Sequence, residues 1–483
     1  MNEGARLHEP YKNSQQLYTM HFMFAFSSRM WQFGIVLFMA YLTNNSLFFV
    51  AMAGFASCLM LSLTAPSIGR ALDRTDRLVA VRNTLIVKGV SVIAGYVLCG
   101  VLARTKHGDD AVDPHKYPSI YAIPILCAIA QVAFSAVPLC VEKDWIVVLS
   151  DGDSSWLSST NSTLRQIDLA CKSFAPAITG FIFSSFTQPQ DAVILLVTNT
   201  GAVVLLYAFL RDVYLSWEPL SRRKGFNDFD FPDDKGDAGA NMEIAASSSS
   251  SADATAKERS KTSIMMFLQS GVALPMISYS FLYLTVLSFG SIMIVYLRYR
   301  GMTDHNIGIH SGISALFGFA GSKAYPILAK NWGIWLTALR SIWFQCVLVA
   351  IASATFWFSE SMASTYILCY CVILSRSGLW LFDLSVSQIV QETLSESIRG
   401  SVNGTWRSLY AMFDMMAFVF TMCFSDPNEF MVLCFVSALM VFCATASFTV
   451  AYIMHTSGHD GVLCGVGLRS TEYELIPDSR IDA

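Results

Sequence analysis

Residues 19–42 read TMHFMFAFSSRMWQFGIVLFMAYL. An apolar run of about 20 residues crosses the hydrocarbon core of a bilayer as one helix, so this stretch predicts a membrane span. Its middle, SSRMWQFG, nevertheless holds Ser27, Ser28, Arg29 and Gln32. An ionised side chain at that depth is costly against lipid, so Arg29 is expected to face a carboxylate or a cavity. The stretch therefore predicts a span and a polar interior together.

The same pattern recurs along the chain. It has 483 residues, of which 54% are hydrophobic and only 14% charged, with a mean hydropathy of +0.48. Soluble domains carry roughly 25% charged residues, so the composition excludes a soluble protein and predicts a polytopic membrane protein. Apolar runs fall at 19–43, 47–68, 79–103, 118–140, 163–187, 192–213, 264–297, 307–329, 334–357, 363–384, 400–424 and 429–454. These are twelve expected transmembrane helices, the fifth, eighth and eleventh being the most polar. The first run is long enough to be kept as a span and not cleaved as a leader. The net charge of −4 averages loops on both faces and points to no partner.

Residues 216–262 include DFDFPDDKGD and SSSSSADATAKERSK, which cannot bury enough apolar surface to fold alone. They predict a disordered cytosolic linker between an N-terminal six-helix half (1–215) and a C-terminal half (263–454), followed by a cytosolic tail (455–483). Lys and Arg gather after the second span (Arg70, Arg74, Arg77) and in the linker, and are missing from the turns after spans 1, 5, 9 and 11. Both termini are therefore expected in the cytosol. Asn44-Asn45-Ser46 fits the glycosylation sequon and falls on the outer side, and Tyr473 to Ile476 has the shape of a tyrosine-based sorting signal.

Twelve cysteines are present, most of them inside apolar runs (Cys58, Cys99, Cys127, Cys346, Cys369, Cys371, Cys434, Cys443). Their spacing matches neither a disulfide framework nor a zinc site, and they read as small hydrophobes. No nucleophile–base pair, phosphate loop or cofactor motif appears, so neither an enzyme nor a bound cofactor is expected, and no nucleic-acid partner is indicated.

The polar residues that remain fall into two groups. One lies at the expected cytosolic rim. GRALDRTDR, Gly69 to Arg77, looks like the loop signature of the major facilitator superfamily and supplies Asp73 and Arg77. VEKDW, NSTLRQID and SESIRG add Asp144, Asn161, Arg165 and Arg399. Each half thus offers both signs of charge, as a gate between two access states requires. Arg399 is expected to pair with Asp144, and Arg165 with a carboxylate of the other half. A static surface network is the alternative. The second group lies within the spans: Arg29, Lys88, Asp168, Lys172, Asp383 and Asp414, with Gln32 and Asn199. Histidine is nearly absent from it, so no converging metal site is evident.

SRMWQF, EKDWIVV, NSTLRQID, FLYLTVLSF and above all SGLWLFDLSVSQIVQE with IRGSVNG resemble the ferroportin family of cellular iron exporters. The resemblance implies an all-α, major-facilitator-like membrane fold and export of ferrous iron across the plasma membrane. It also implies one metal site per half. Carried over by position, however, the family's aspartate and histidine in span 1 fall on Ser28 and Gln32. Its glutamine in span 3 falls on Lys88. Asn199 matches, but the nearby glutamate falls on Leu206. The thiol after the span 7 Gly-Phe falls on Ser291, and the span 11 histidine falls near Ala417. The resemblance and the polar residues within the spans together give a transport cavity of Ser28, Arg29, Gln32, Lys88, Asp168, Asn199, Ser291, Asp383 and Asp414, with the metal ligands left unassigned. It assigns the cytosolic gate to Asp73, Arg77, Asp144, Asn161, Arg165 and Arg399. Docking of the family's peptide hormone through a thiol is not expected at Ser291.

Three functions stay open at this point. The first is an iron or divalent-metal exporter with relocated ligands, drawn from Asp168, Asn199, Asp383, Asp414 or a cavity cysteine such as Cys171. The second is a transporter of an anionic or metal-chelate substrate, motivated by Arg29 and Lys88. The third is a non-transporting scaffold.

Overall fold

The computed structural model describes residues 14–106, 110–141, 145–151, 153–221, 265, 267–268, 270–358, 361–394 and 396–457. The first six long helices are α1 Ser14–Leu42, α2 Leu47–Arg74, α3 Arg77–Thr105, α4 Ala122–Cys140, α5 Ser154–Ser185 and α6 Gln188–Ser216. Then follow α7 Ala273–Phe281, α8 Ser291–Tyr299, α9 Asp304–Trp332, α10 Ile334–Phe358, α11 Met362–Thr393, α12 Glu396–Cys423 and α13 Phe430–Thr456.

Local chemistry explains the tight connections. Asn44 and Asn45 both take the left-handed conformation, with φ of 53° and 64°, which asparagine tolerates better than most residues. Ser46 then caps α2 through the Phe48 N–H, and Asp76 caps α3 through Leu78 and Val79. Thr187 and Gln190 form a reciprocal capping box at the start of α6. Such short turns force consecutive helices to pack antiparallel. The face bearing Asn44 and Asn45 is called the sequon face below, and the opposite one the terminus face.

The helices group into two bundles. In the first, α1 packs on α5 and α6, α2 on α4, and α3 on α4 and α6. In the second, α10 packs on α11 and α13, α9 on α11, and α7 on α12 and α13. The bundles meet where α5 crosses α9 and α2 crosses α12, with α8 against α1 and α2. Among the described residues, nine helices are long and apolar enough to cross a membrane. α9 and α12 match the others in length, at 29 and 28 residues. They are more polar because they lie along the interior seam.

Span 7 departs from expectation. The run at 264–297 predicts one helix, but residues 282–290 leave the helical path between α7 and α8. Irregular backbone at membrane depth survives only where protein groups satisfy it, and they do so here. The Arg376 guanidinium donates to the Leu287 carbonyl at 2.6 Å, and Ser437 Oγ accepts from the Val286 N–H at 3.0 Å. α5 also differs, starting nine residues before the expected 163.

The seam is closed in the sequon-face half. Gly180 of α5 lies against the Asp304 backbone, while Gly308 and Gly312 of α9 lie against the backbone at Pro176 and Ser173. A side chain at any of these positions would collide with a carbonyl, so this small-residue stripe lets two backbones touch. The seam is bonded as well as packed. Arg298 donates to the Leu37 carbonyl at 2.9 Å, and the Leu47 N–H to the Ser425 carbonyl at 3.1 Å. The His305 N–H donates to Ser184 Oγ at 3.1 Å.

Candidate substrate cavity

Beneath that seal lies a cavity of about 720 Å³ between the bundles. A second cavity, about 600 Å³, continues from it within the first bundle toward the terminus face and shares Arg29, Gln32 and Gln131 as lining.

The polar interruption of α1 forms the floor shared by the two. Arg29 donates to Asp168 Oδ1 and Oδ2 at 3.1 and 3.3 Å, and to Gln32 Oε1 at 3.0 Å. The arginine therefore has both a carboxylate and a cavity. Asp168 is also 4.0 Å from Arg165. Ser28 donates to the Phe24 carbonyl at 2.6 Å and edges the second cavity. Its hydroxyl proton is thus committed to its own helix. Ser291, the first residue of α8, lines the central cavity.

Three assigned cavity residues lie elsewhere. Lys88 is fully buried behind α1, lining neither cavity. Its Nζ donates to Ser27 Oγ at 2.9 Å and sits 4.7 and 5.4 Å from the ring centres of Phe24 and Phe134. α3 packs tightly against the back of α1, where Gly95 meets the Trp31 ring, and that docking turns Lys88 away from the interior. Asn199 is buried, its amide donating to the Leu195 carbonyl at 3.0 Å. Asp383 stands beside Tyr279, outside both linings.

Of the gate residues, Asp144 and the side chains of Asp73, Asn161 and Arg399 lie outside the described residues. Arg77 donates to the Leu220 carbonyl at 3.4 Å, within its own half. Arg165 faces the Trp380 ring of the other half at 5.8 Å.

The cavity also recruits residues that the sequence reading passed over or left unassigned. Arg376 and Lys172 line it, the latter 5.7 Å from the centre of the Trp380 ring. Arg376 sits in an otherwise apolar run, a signal as clear as that of Arg29. Cys58, read as a hydrophobe, lines the cavity as well and donates to Asp414 Oδ2 at 3.3 Å. The lining is therefore polarised. Cations from α1, α5 and α11 (Arg29, Lys172, Arg376) stand on one side, and the thiol–carboxylate pair of α2 and α12 stands apart. Among the described residues no group of three or more His, Cys, Asp or Glu could hold a metal ion. All described cysteines are free thiols.

A family model for Ferroportin1 (FPN1) matches residues 12–441 of this chain. The chain belongs to the ferroportin family. It is 31% identical over 449 residues to Solute carrier family 40 member 1 of Oryza sativa subsp. japonica, covering 90% of each chain. It is 28% identical over 459 residues to Solute carrier family 40 member 2 of Arabidopsis thaliana, covering 90% of this chain and 88% of that one. The fold is similar to the crystal structure of a bacterial homologue of iron transporter ferroportin in the inward-facing state. The TM-score is 0.74 at 21% identity, covering 91% of this chain and 98% of that one. The ferroportin fold is thus established, and with it the major-facilitator-like architecture of a membrane protein. Ser28, Gln32 and Ser291 line the two cavities with hydroxyl and amide groups.

Proposed function

We propose that this ferroportin-family chain exports iron, or another divalent metal ion, from the cytosol by alternating access. It would sit in the plasma membrane with both termini cytosolic, as the distribution of Lys and Arg predicts. The observation that carries this reading is a cavity closed on the sequon face by paired backbones. In it an intramembrane carboxylate, Asp414, has no cationic partner among the described residues. Such a group marks an ion pathway by default, because burying it otherwise costs several kcal/mol. With the termini in the cytosol, the closed face is the outer one and the accessible cavity is the inner one. Asp73, Arg77, Asp144, Asn161, Arg165 and Arg399 would then form the inner gate, and the segment after Ser221 the cytosolic linker between halves.

One observation favours a second reading. Arg29, Lys172 and Arg376 all line the cavity, and among the described residues only Arg29 of the three forms a salt bridge. Three cations suit an anionic or metal-chelate substrate. Ser291 offers no thiol, so hormone docking through a cysteine is not expected under either reading.

Vesicles loaded with radioactive ferrous iron separate the two. The unmodified chain is expected to release iron above empty-vesicle background. Release only after combining Ser28→Asp with Gln32→His would sink the metal reading. Release of iron only as its citrate complex would move the conclusion to the chelate.

A further inference from the structure

The thiol–carboxylate pair bears directly on the substrate. Cys58 comes from α2 in the first half and Asp414 from α12 in the second, and their contact crosses the seam that has to part during transport. Asp414 is the only carboxylate among the described residues lining the central cavity. It makes no salt bridge among the described residues, and its one bonded partner is a thiol, a weak donor. A carboxylate held inside a membrane protein by so weak a partner is poised for a stronger one. One turn toward the sequon face, Gly54 presses against the Phe418 ring, so the same two helices close over the pair.

We propose that Cys58 and Asp414 form a two-residue binding site for a divalent transition-metal ion, with Fe²⁺, Co²⁺ and Zn²⁺ as the fitting class. This assignment rests on the metal-export reading above and names the ligands for it. A thiolate beside a carboxylate favours such ions over Mg²⁺ and Ca²⁺, which take oxygen ligands alone. Loading exchanges a proton for a metal. The Sγ–H bond breaks and its proton passes to cavity water. The sulfur lone pair then bonds the ion, and Asp414 and the thiolate each displace one bound water. Thiolate, carboxylate and divalent ion sum to zero charge, so Arg29, Lys172 and Arg376 do not repel the loaded site.

The placement also supplies a release step. Cys58 moves with one half and Asp414 with the other, so opening the sequon-face seam pulls the ligands apart. A bidentate site becomes two monodentate ones, and the ion is let go on the face that has just opened.

Cobalt tests this, because a thiolate-to-Co²⁺ charge-transfer band reports the sulfur–metal bond itself. The purified full chain, titrated with Co²⁺, is expected to gain that band at one equivalent. Binding should strengthen as pH rises, because the proton leaves. Cys58→Ser should abolish the band. Asp414→Asn should weaken binding roughly tenfold or more, since even the outer partners of a metal ligand are worth that much. Cys127→Ser, a second thiol on the cavity lining, should leave the band intact. Bound Co²⁺ should also shield Cys58 from maleimide in the unmodified chain, which needs no variant to fold. A band that survives Cys58→Ser, or undiminished alkylation of Cys58 at saturating Co²⁺, overturns the site. If iron efflux continues in that case, the export reading stands without it. A band without any efflux keeps the site and removes the export reading.

Discussion

At the scale of single residues, a charge in this membrane is informative only together with its partner. Arg29 and Lys88 are both cations in apolar runs, yet one lines the cavities against Asp168 while the other is fully buried behind α1 with Ser27. Side-chain exposure of 30% for Arg29 and 23% for Asp168 leaves the pair partly screened. Losing either partner is expected to cost about 1–3 kcal/mol, with most of the cost coming from the group left unpaired. Arg29→Met and Asp168→Asn together should therefore destabilise by less than the sum of the two single changes. Thermal unfolding of the four proteins in one detergent measures the coupling, and strict additivity would mean that the pair does not act as a unit. What the sequence showed at this scale was that Arg29 needs a polar neighbour. It could not show that Lys88 has turned away, because an ionisable residue in a span looks the same whichever side of its helix it occupies.

Elements add the next level of selection. The seam of α5 and α9 works because Gly180, Gly308 and Gly312 leave room for a neighbouring backbone. Gly308→Val would place a branched side chain into the carbonyl of Pro176, at a cost of about 1–3 kcal/mol if the seam stays shut. The expected outcome is a shift toward the state open on the sequon face. It can be read as faster maleimide labelling of an engineered cysteine at Ser311, which lines the central cavity. Unchanged labelling would show that the seam is not the closing contact. The break between α7 and α8 belongs to this scale too. FLYLTVLSFG is apolar enough to read as uninterrupted helix, and α11 and α13, through Arg376 and Ser437, supply tertiary partners for part of its open backbone.

For the whole molecule, the question is what would set the balance between the two proposed access states. Arg298 is well placed to do so. It bonds the Leu37 carbonyl of the other half, lies 3.6 Å from Asp304 and sits 5.9 Å from the centre of the Tyr41 ring. Arg298→Ala removes all three contacts at once. The population closed on the sequon face should fall by roughly five-fold or more, the scale of a hydrogen bond to a charged group. Distance measurements between spin labels on the two halves would register it, and an unaltered distribution would assign the seal to the glycine seam alone.

The sequence by itself determined that the chain lives in a membrane, because hydropathy summed over about 20 residues needs no knowledge of neighbours. FDLSVSQIVQE and IRGSVNG carried the ferroportin likeness, since such long strings need no fold to be recognised. Which charges share a cavity was not legible in the sequence. Lys88 left it, Arg376 entered it, and Cys58 met Asp414 across 356 positions of chain. Those outcomes depend on how each helix is rotated and where the two halves touch. Packing fixes both, and no single stretch of sequence contains them.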